Sequence, residues 1–251
     1  KLMEKASSLF ENLYKCIRQT ALSDPYKAAD ETYYKILVPE KNSKGKGVRK
    51  GYLWVVVGIN TRMIYLLYDD GSRSERVILN ELGSCKGIIQ SDGYSPYRKL
   101  ESDAYPHITR IPCLQHIKRK FIDSGENDPD VKRSVELINK LYQNEHKHKV
   151  GVDGWTAEQH LAHRKKYALD TLGEIKDVLD EIEERGDLLP KSELREAITY
   201  LRNEWNAVVD IFNYGDTFLD NNIVERMNRY IFLSRKNSLF FGSHKGAERG
   251  A

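Results

Sequence analysis

Cysteine is scarce in this chain: Cys16, Cys85 and Cys113 are the three in 251 residues, and they stand far apart. Widely spaced thiols of this number exclude a disulfide framework and fit a reducing cytoplasm with buried, structural cysteines. Long apolar runs are missing too: none approaches the roughly twenty residues of a membrane-spanning helix. The amino terminus has no charged segment followed by an apolar one of the secretory kind. With no internal repeat and no long low-complexity stretch, the fibrous and disordered classes drop out. A soluble cytoplasmic protein without a membrane partner is expected, with enough apolar residues for one large domain or two small ones.

Net charge is also small, +3, but it is unevenly spread. From Arg226 to the end there are six Lys or Arg against one acid, Glu248, whereas Glu174 to Asp187 carries seven acids against Lys176 and Arg185. The first segment suits phosphates and the second repels them. The chain begins at Lys1 without Met and stops in a basic, glycine-rich stretch, so it is expected to be a piece of something longer.

Periodicity divides the chain. Leu2, Leu9, Phe10, Leu13, Ile17 and Leu22 fall at near-helical spacing, and Asp24-Pro25 stops that entry helix. Tyr26 to Val38 reads as a strand. Lys41 to Lys50, with five Lys or Arg and no acid, reads as a solvated loop able to touch phosphate. Tyr52 to Gly58 and Arg62 to Tyr68 are two further strands, and Asp69-Asp70-Gly71 makes the next turn. Ser74 to Leu82 is helical, Lys86 to Gln90 and Ile108 to Cys113 are short strands, and Gln115 to Phe212 reads almost wholly as helix.

Three acids stand where a phosphoryl-transfer site needs them. Such chemistry uses divalent metals held by hard oxygens, which neutralise the scissile phosphate and activate the attacking oxygen. Asp30 lies inside the first strand, where an acid is disfavoured; alternation sends Asp30 and Glu31 to opposite faces, so one of them joins a given site. Asp92 follows an apolar strand at its carboxyl end, where α/β sheets place ligands, although Asp92-Gly93 is also an ordinary turn pair. Glu225 has a structural alternative as well: Asn222 as N-cap with Glu225 third in the helix makes a capping box, with Arg229 four residues on as an ion-pair partner. Asp220 competes as third ligand.

Other constellations carry less. Cys113 and His116 lack the second pair that a structural zinc site needs. His160-x-x-His163 reads as an exposed helical pair beside Lys165 and Lys166. Tyr52 and Trp54 alternate on a strand and read as core rather than as a base-stacking platform.

Five segments nonetheless occur in a telling order: Asp30-Glu31-Thr32; Ser91-Asp92-Gly93-Tyr94; Cys113-x-x-His116-x-x-Arg119-Lys120-Phe121; Asp220-Asn221-Asn222-x-x-Glu225-Arg226; and Arg235-Lys236-Asn237-x-Leu239-Phe240-x-Gly242-Ser243. Together, over about residues 20 to 251, the chain resembles the catalytic region of the insertion-sequence-66 family of bacterial DDE transposases. After Arg226 it departs from that family's wording, with Met227-Asn228-Arg229-Tyr230 in place of an Ala-Leu-Arg-Pro type of run.

The resemblance implies an α/β fold: a ribonuclease-H-like mixed sheet flanked by helices, with an all-helical insertion before the last catalytic residue. The expected boundaries are 1–124 for the entry helix and sheet, 125–215 for the insertion, and 216–251 for the end of the core with its basic tail. It implies Asp30, Asp92 and Glu225 as catalytic and metal-binding triad, with Asp30 bridging two Mg²⁺ (or Mn²⁺) ions. His116 and Arg226 are expected as active-site support, and Arg119, Lys120, Arg229, Arg235, Lys236, Lys245 and Arg249 as DNA contacts. The implied activity is metal-dependent DNA strand cleavage and strand transfer in transposition of an insertion sequence. Its partners are transposon ends and target DNA, with self-association in a full-length synaptic complex, in the bacterial cytoplasm at the nucleoid. Alternatives are a catalytically silent DNA-binding relic and a simple nuclease of the same fold. No helix-turn-helix is apparent, so end recognition is expected to lie outside these residues.

Overall fold

The computed structural model describes residues 2–41, 45, 47–147 and 154–251. The chain divides into two compact units: Lys1–Arg110 with Asn221–Ala251, and Ile111–Asp220.

The first unit opens with α1 (Leu2–Leu9) and α2 (Glu11–Ser23), broken at Phe10 where one continuous entry helix was expected. Pro25 disfavours helical geometry at the residue before it, and Asp24 is accordingly extended at the end of α2. A three-stranded antiparallel meander follows: β1 (Tyr26–Leu37), β2 (Val48–Gly58) and β3 (Ile64–Leu67). Of the basic loop Lys41 to Lys50, residues 42–44 and 46 lie outside the described residues. Then come α3 (Glu75–Leu82), β4 (Gly87–Ser91), the short α4 (Ser95–Arg98) with a 3-10 turn Lys99–Glu101, and β5 (Ile108–Pro112). The sheet order is β3-β2-β1-β4-β5, with β4 parallel to β1, so the sheet is mixed and β1 is its centre.

Gly87 sets the entry of β4. Its φ is +89°, and a Cβ there would lie 2.2 Å from the Pro25 carbonyl oxygen, which accepts the Ile88 amide at 2.8 Å. Glycine is the residue that reaches this geometry without steric cost.

Alternation along the strands gives the sheet two buried faces. Ala29, Trp54, Val56 and Ile89 pack with Ile78 and Leu82 of α3 and Tyr97 of α4. Ala28, Tyr34, Leu53, Val55 and Val57 pack instead with Val224 and Ile231 of α9 (Asn222–Asn237). Trp54 is core, as its alternation implies, but Tyr52 is only half-buried. The chain closes with α10 (His244–Gly250).

The second unit is helical: α5 (Leu114–Asp123), α6 (Pro129–Lys147), α7 (Ala157–Glu184) and α8 (Glu193–Ile211). A capping box of Thr156 and Gln159 starts α7. Arg164, 1% exposed, is held by Glu145 through Nε at 2.8 Å and Nη2 at 2.6 Å, and it also donates to the Ile211 and Thr217 carbonyls. His160 is buried, not exposed as expected; its Nδ1 meets the Gly215 carbonyl at 2.6 Å, so it braces the turn after α8. The apolar stripe of a long helix faces its neighbours, and here that stripe turned His160 inward with Arg164, one turn on. Among the described residues no helix is long and apolar enough to cross a membrane.

Asp24 ties the first corner of the sheet together. Its buried carboxylate accepts from the amides of Tyr26 (2.9 Å) and Thr61 (2.7 Å) and from Asn60 Nδ2 (3.0 Å), joining the start of β1 to the β2–β3 turn. Burial disfavours the charged form, but the Thr61 and Tyr26 amides outweigh it and hold the carboxyl below its usual range. Asp24→Ala leaves two amide donors unsatisfied and is expected to cost about 3 kcal/mol at pH 7. Because the folded carboxyl titrates below the unfolded one, this contribution is present above about pH 4 and fades as pH falls further. Urea unfolding of wild type and variant at pH 7 and in acid checks both the size and the convergence.

Candidate active site

β1 is paired with β2 along its whole length, from Lys27↔Gly58 to Leu37↔Val48. Its other edge is covered at the ends. Tyr26, Lys27 and Ala28 pair with Ile88, Ile89 and Gln90 of β4, and Ile36 bridges to Phe241. Between those patches no strand pairs with this edge among the described residues, and Asp30 sits in the gap.

The β1–β4 register has a constant offset of 62 residues, from Tyr26↔Ile88 to Ala28↔Gln90. Carried two residues further, the same offset sets Asp92 alongside Asp30. Asp92 directly follows β4, and its Oδ1 accepts the Tyr94 amide at 3.1 Å. The two readings of Asp92-Gly93 therefore coincide: the aspartate closes a turn by its own side chain and also stands at the strand end beside Asp30.

Glu225 arrives on α9, which is anchored one residue earlier than expected. The Asn221 carbonyl accepts the Val224 amide at 3.0 Å and the Glu225 amide at 3.2 Å, making Asn221 the cap and Glu225 the fourth helical residue. From there Glu225 does not build the reciprocal capping box, which needs the third position. Buried Asn221 also donates Nδ2 to the Ala29 carbonyl at 3.1 Å, on the open stretch of β1. Asn221, Val224, Asn228 and Ile231 form the buried stripe of α9, and Asn228 Nδ2 donates to Asp30 Oδ2 at 2.7 Å. The other oxygen, Oδ1, accepts the Glu31 amide at 2.8 Å. Both oxygens of Asp30 are thus fixed by neutral donors.

Charge distinguishes this group from an ordinary surface cluster. Among the described residues none of Asp30, Asp92 and Glu225 is paired with a cation, and the Glu225–Arg229 pair of the structural alternative does not form. Burial, followed by the nearby Glu31 and Asp92 charges and a smaller push from Glu225, raises the Asp30 carboxyl to about 8; the Glu31 amide opposes them. Glu31, on the other face of β1, is compensated. Arg73 donates to its Oε1 through Nε at 2.9 Å and Nη2 at 2.5 Å, and the Tyr97 hydroxyl approaches Oε2 at 3.4 Å. Burial and Asp92 still push the Glu31 carboxyl up.

The acids are close enough to repel, yet among the described residues no three His, Cys, Asp or Glu side chains are gathered into a group that could hold a metal ion.

The remaining candidates are spread widely. Arg226 and Arg229 are exposed on α9, and Arg226 Nε reaches back to the Asn222 carbonyl at 3.4 Å. Lys236 is exposed, and the side chain of Arg235 lies outside the described residues. Lys245 and Arg249 are exposed on α10 and line an open pocket with Phe10, Tyr14, Arg18 and Tyr68. The tail is not loose: Phe241 exchanges backbone hydrogen bonds with Lys35 and Leu37, and its ring lies 4.1 Å from that of Tyr34. His116, Arg119 and Lys120 belong to α5 of the helical unit. His116 has a buried Nδ1 without a partner among the described residues, Arg119 and Lys120 are exposed, and Cys113 is buried at the N-cap.

Asn228, Asn221 and Arg73 escaped sequence reasoning. For Asn228 a signal existed: it follows Glu225 by three residues, hence lies on the same side of a helix.

The mixed α/β sheet thus brings three carboxylates without cationic partners among the described residues toward one gap, from its central strand, from the turn after the adjacent parallel strand and from the overlying helix. The chain matches the model of the "Transposase IS66 family" over residues 1–249 and belongs to that family. Relatives in Sinorhizobium fredii (strain NBRC 101917 / NGR234) are named "Uncharacterized protein y4jD", "Uncharacterized protein y4qI" and "Uncharacterized protein y4hP". The first is 30% identical over 70% of this chain and 35% of its own length, and the second is 29% identical over 89% and 42%. The third is 32% identical over 66% and 32%. The chain therefore spans about a third to two fifths of the curated relatives it matches.

The repulsion at Asp30 makes a stability prediction. A carboxyl raised to about 8 in the fold takes up a proton on folding, so it lowers stability progressively as pH rises from about 4 toward 8. Asp30→Asn removes that charge and keeps an oxygen for the Glu31 amide. Relative to wild type, the variant is expected to gain at least about 1 kcal/mol between pH 5 and pH 8. Unfolding curves of both proteins across that range test it.

Proposed function

We propose that the chain is the catalytic region of a DDE transposase that cleaves DNA and joins transposon ends to target DNA, with Asp30, Asp92 and Glu225 as its acidic triad. The observation that carries this reading is the set of three carboxylates around the gap in β1, left without cationic partners in a chain of a transposase family. The order β3-β2-β1-β4-β5, with an antiparallel meander followed by a parallel β4, supports a ribonuclease-H-like core. The helices of the 125–215 region are then an insertion ahead of Glu225.

The donor chemistry fits a hard divalent cation, Mg²⁺ or Mn²⁺: three carboxylates and no soft ligand. A bound ion would neutralise scissile-phosphate charge and activate the attacking oxygen. The protein's own part is positioning. Asn228 and the Glu31 amide fix both oxygens of Asp30, the Tyr94 amide fixes one oxygen of Asp92, and the capped first turn of α9 presents Glu225. Basic groups on α9 and α10 supply sequence-independent affinity for DNA. Self-association at paired transposon ends and a place at the bacterial nucleoid follow from that activity.

One observation favours the rival reading of a silent, DNA-binding relic: among the described residues the acids are not gathered into a metal-holding group. A strand-joining assay decides. Supplied with a pre-nicked transposon end, a target plasmid and Mg²⁺ or Mn²⁺, the protein is expected to join the two. Asp92→Asn and Glu225→Gln are each expected to lose more than about 100-fold of that activity. Calorimetry with a short duplex is expected to show metal binding by wild type and its loss in Asp30→Asn. Full joining by either carboxamide variant would remove the triad assignment, cutting without joining would leave a nuclease, and DNA binding without metal binding would leave the relic.

A further inference from the structure

On the face of β1 opposite Asp30, the residues beyond Glu31 form an alternating series of cations and rings. Tyr33 of β1 stands across from Tyr52 of β2, and Lys35 across from Lys50. Cross-strand partners project to the same side of a sheet, so these four side chains share the face that buries Trp54 further in. Lys50 Nζ lies 4.3 Å from the Tyr33 ring centre and 5.3 Å from that of Tyr52. The Arg73 guanidinium continues the series, 5.1 Å from the Tyr52 ring and 4.1 Å from the Tyr94 ring. Tyr94 in turn holds Asp92 through its amide. The series therefore runs without a break from the outer end of the β1–β2 hairpin to a residue of the acidic site.

Two features set this surface apart from a solvated sheet face. Lys35 and Lys50 are exposed, stand directly opposite each other and pair with no carboxylate among the described residues. Like charges in that relation destabilise a strand pair, a cost that an anionic partner reverses. The series is also accessible: Tyr33 is 44% exposed, Tyr52 and Tyr94 are half-buried, and Arg73 keeps 42% of its side chain exposed while Glu31 anchors it from beneath. Cations fixed above rings are already oriented for a ligand and lose little freedom on binding.

We propose that this cation–aromatic series is a binding site for an unpaired DNA strand, with phosphates on Lys35, Lys50 and Arg73 and bases stacked on Tyr33 and its neighbouring rings. The proposal rests on the transposase reading for its choice of DNA and adds to it a second, metal-independent contact leading to Asp92. Unpaired strands are favoured over duplex because base faces become available for stacking only when the bases are unpaired. Stacking on aromatic side chains is sequence-tolerant and joins with backbone cations to hold single strands.

The test is fluorescence anisotropy with a labelled oligodeoxythymidine and a hairpin duplex of equal charge, in EDTA so that nothing is cut. Tyr33→Ala and Lys50→Ala are each expected to weaken oligodeoxythymidine binding about fivefold or more, and together more than about twentyfold. Tyr33→Phe is expected to retain affinity, and Lys50→Ala to make the salt dependence shallower by about 0.7 in log-log slope. Both sites are at the surface, and circular dichroism with a melting curve establishes that the variants are folded. Unchanged single-strand affinity in the folded double variant overturns the proposal, as does equal loss of duplex and single-strand binding. Asp92→Asn is run in parallel. If it keeps strand joining while Tyr33→Ala loses oligonucleotide binding, the triad reading fails and the strand site stands; the reverse pattern sinks the strand site alone.

Discussion

The unequal coverage of β1's two edges is the constraint on which the rest depends. One edge is hydrogen-bonded to β2 throughout, so the strand is rigid and its alternation is fixed over twelve residues. The other edge is closed by β4 at Tyr26–Ala28 and by Phe241 at Lys35–Leu37, and it is left open between them. An open edge exposes backbone groups that seek partners. Here the Ala29 carbonyl finds Asn221, which in the same stroke caps α9 and brings Glu225 to the gap. Backbone satisfaction and site assembly are one event at this point.

The gap is also where the fold accepts unfavourable electrostatics. Asp24 receives three donors and sits below its usual range; Asp30 receives two and is pushed far above it. For Asp24 the amides and Asn60 outweigh desolvation, whereas for Asp30 desolvation comes first and the charges of Glu31, Asp92 and Glu225 add to it. Sites kept in this condition lower stability in exchange for function. Compensation comes from ordinary sources nearby, such as the Arg18–Glu81–Tyr65 group that links α2, α3 and β3, with Arg18 Nη2 2.6 Å from Glu81 Oε2 and Tyr65 Oη 2.6 Å from Glu81 Oε1.

Much of this was legible from residues alone. The meander, α3, β4 and the helical run to Phe212 follow from periodicity and turn chemistry, and the 62-residue separation of Asp30 and Asp92 proved to be the strand register itself. What escaped has a common cause. The shift of the α9 cap from Asn222 to Asn221 and the burial of His160 are settled by partners distant in sequence: Ala29 for Asn221, Gly215 for His160. Local pattern carries no information about those partners. Asn228 is the instructive case. In the sequence its spacing of three from Glu225 sets it on the same side of a helix, but the contact with Asp30 across 198 positions is what makes it part of the site.

Asp30 and Glu31 show how one strand handles two adjacent buried acids. Alternation sends them to opposite faces, and Asp92, at the end of the neighbouring strand, repels both. On the Glu31 face the charge is answered by Arg73, itself steadied between Tyr52 and Tyr94; on the Asp30 face only neutral donors answer it. The Arg73 arrangement then has a use beyond neutralising Glu31. By holding a guanidinium and two rings beside the turn that presents Asp92, it keeps an anion-binding surface next to an acidic site that would otherwise repel a phosphate chain. Two acids next to each other in sequence can thus be given opposite surroundings, one paired with a guanidinium and the other met by neutral donors, by the pleat of a single strand.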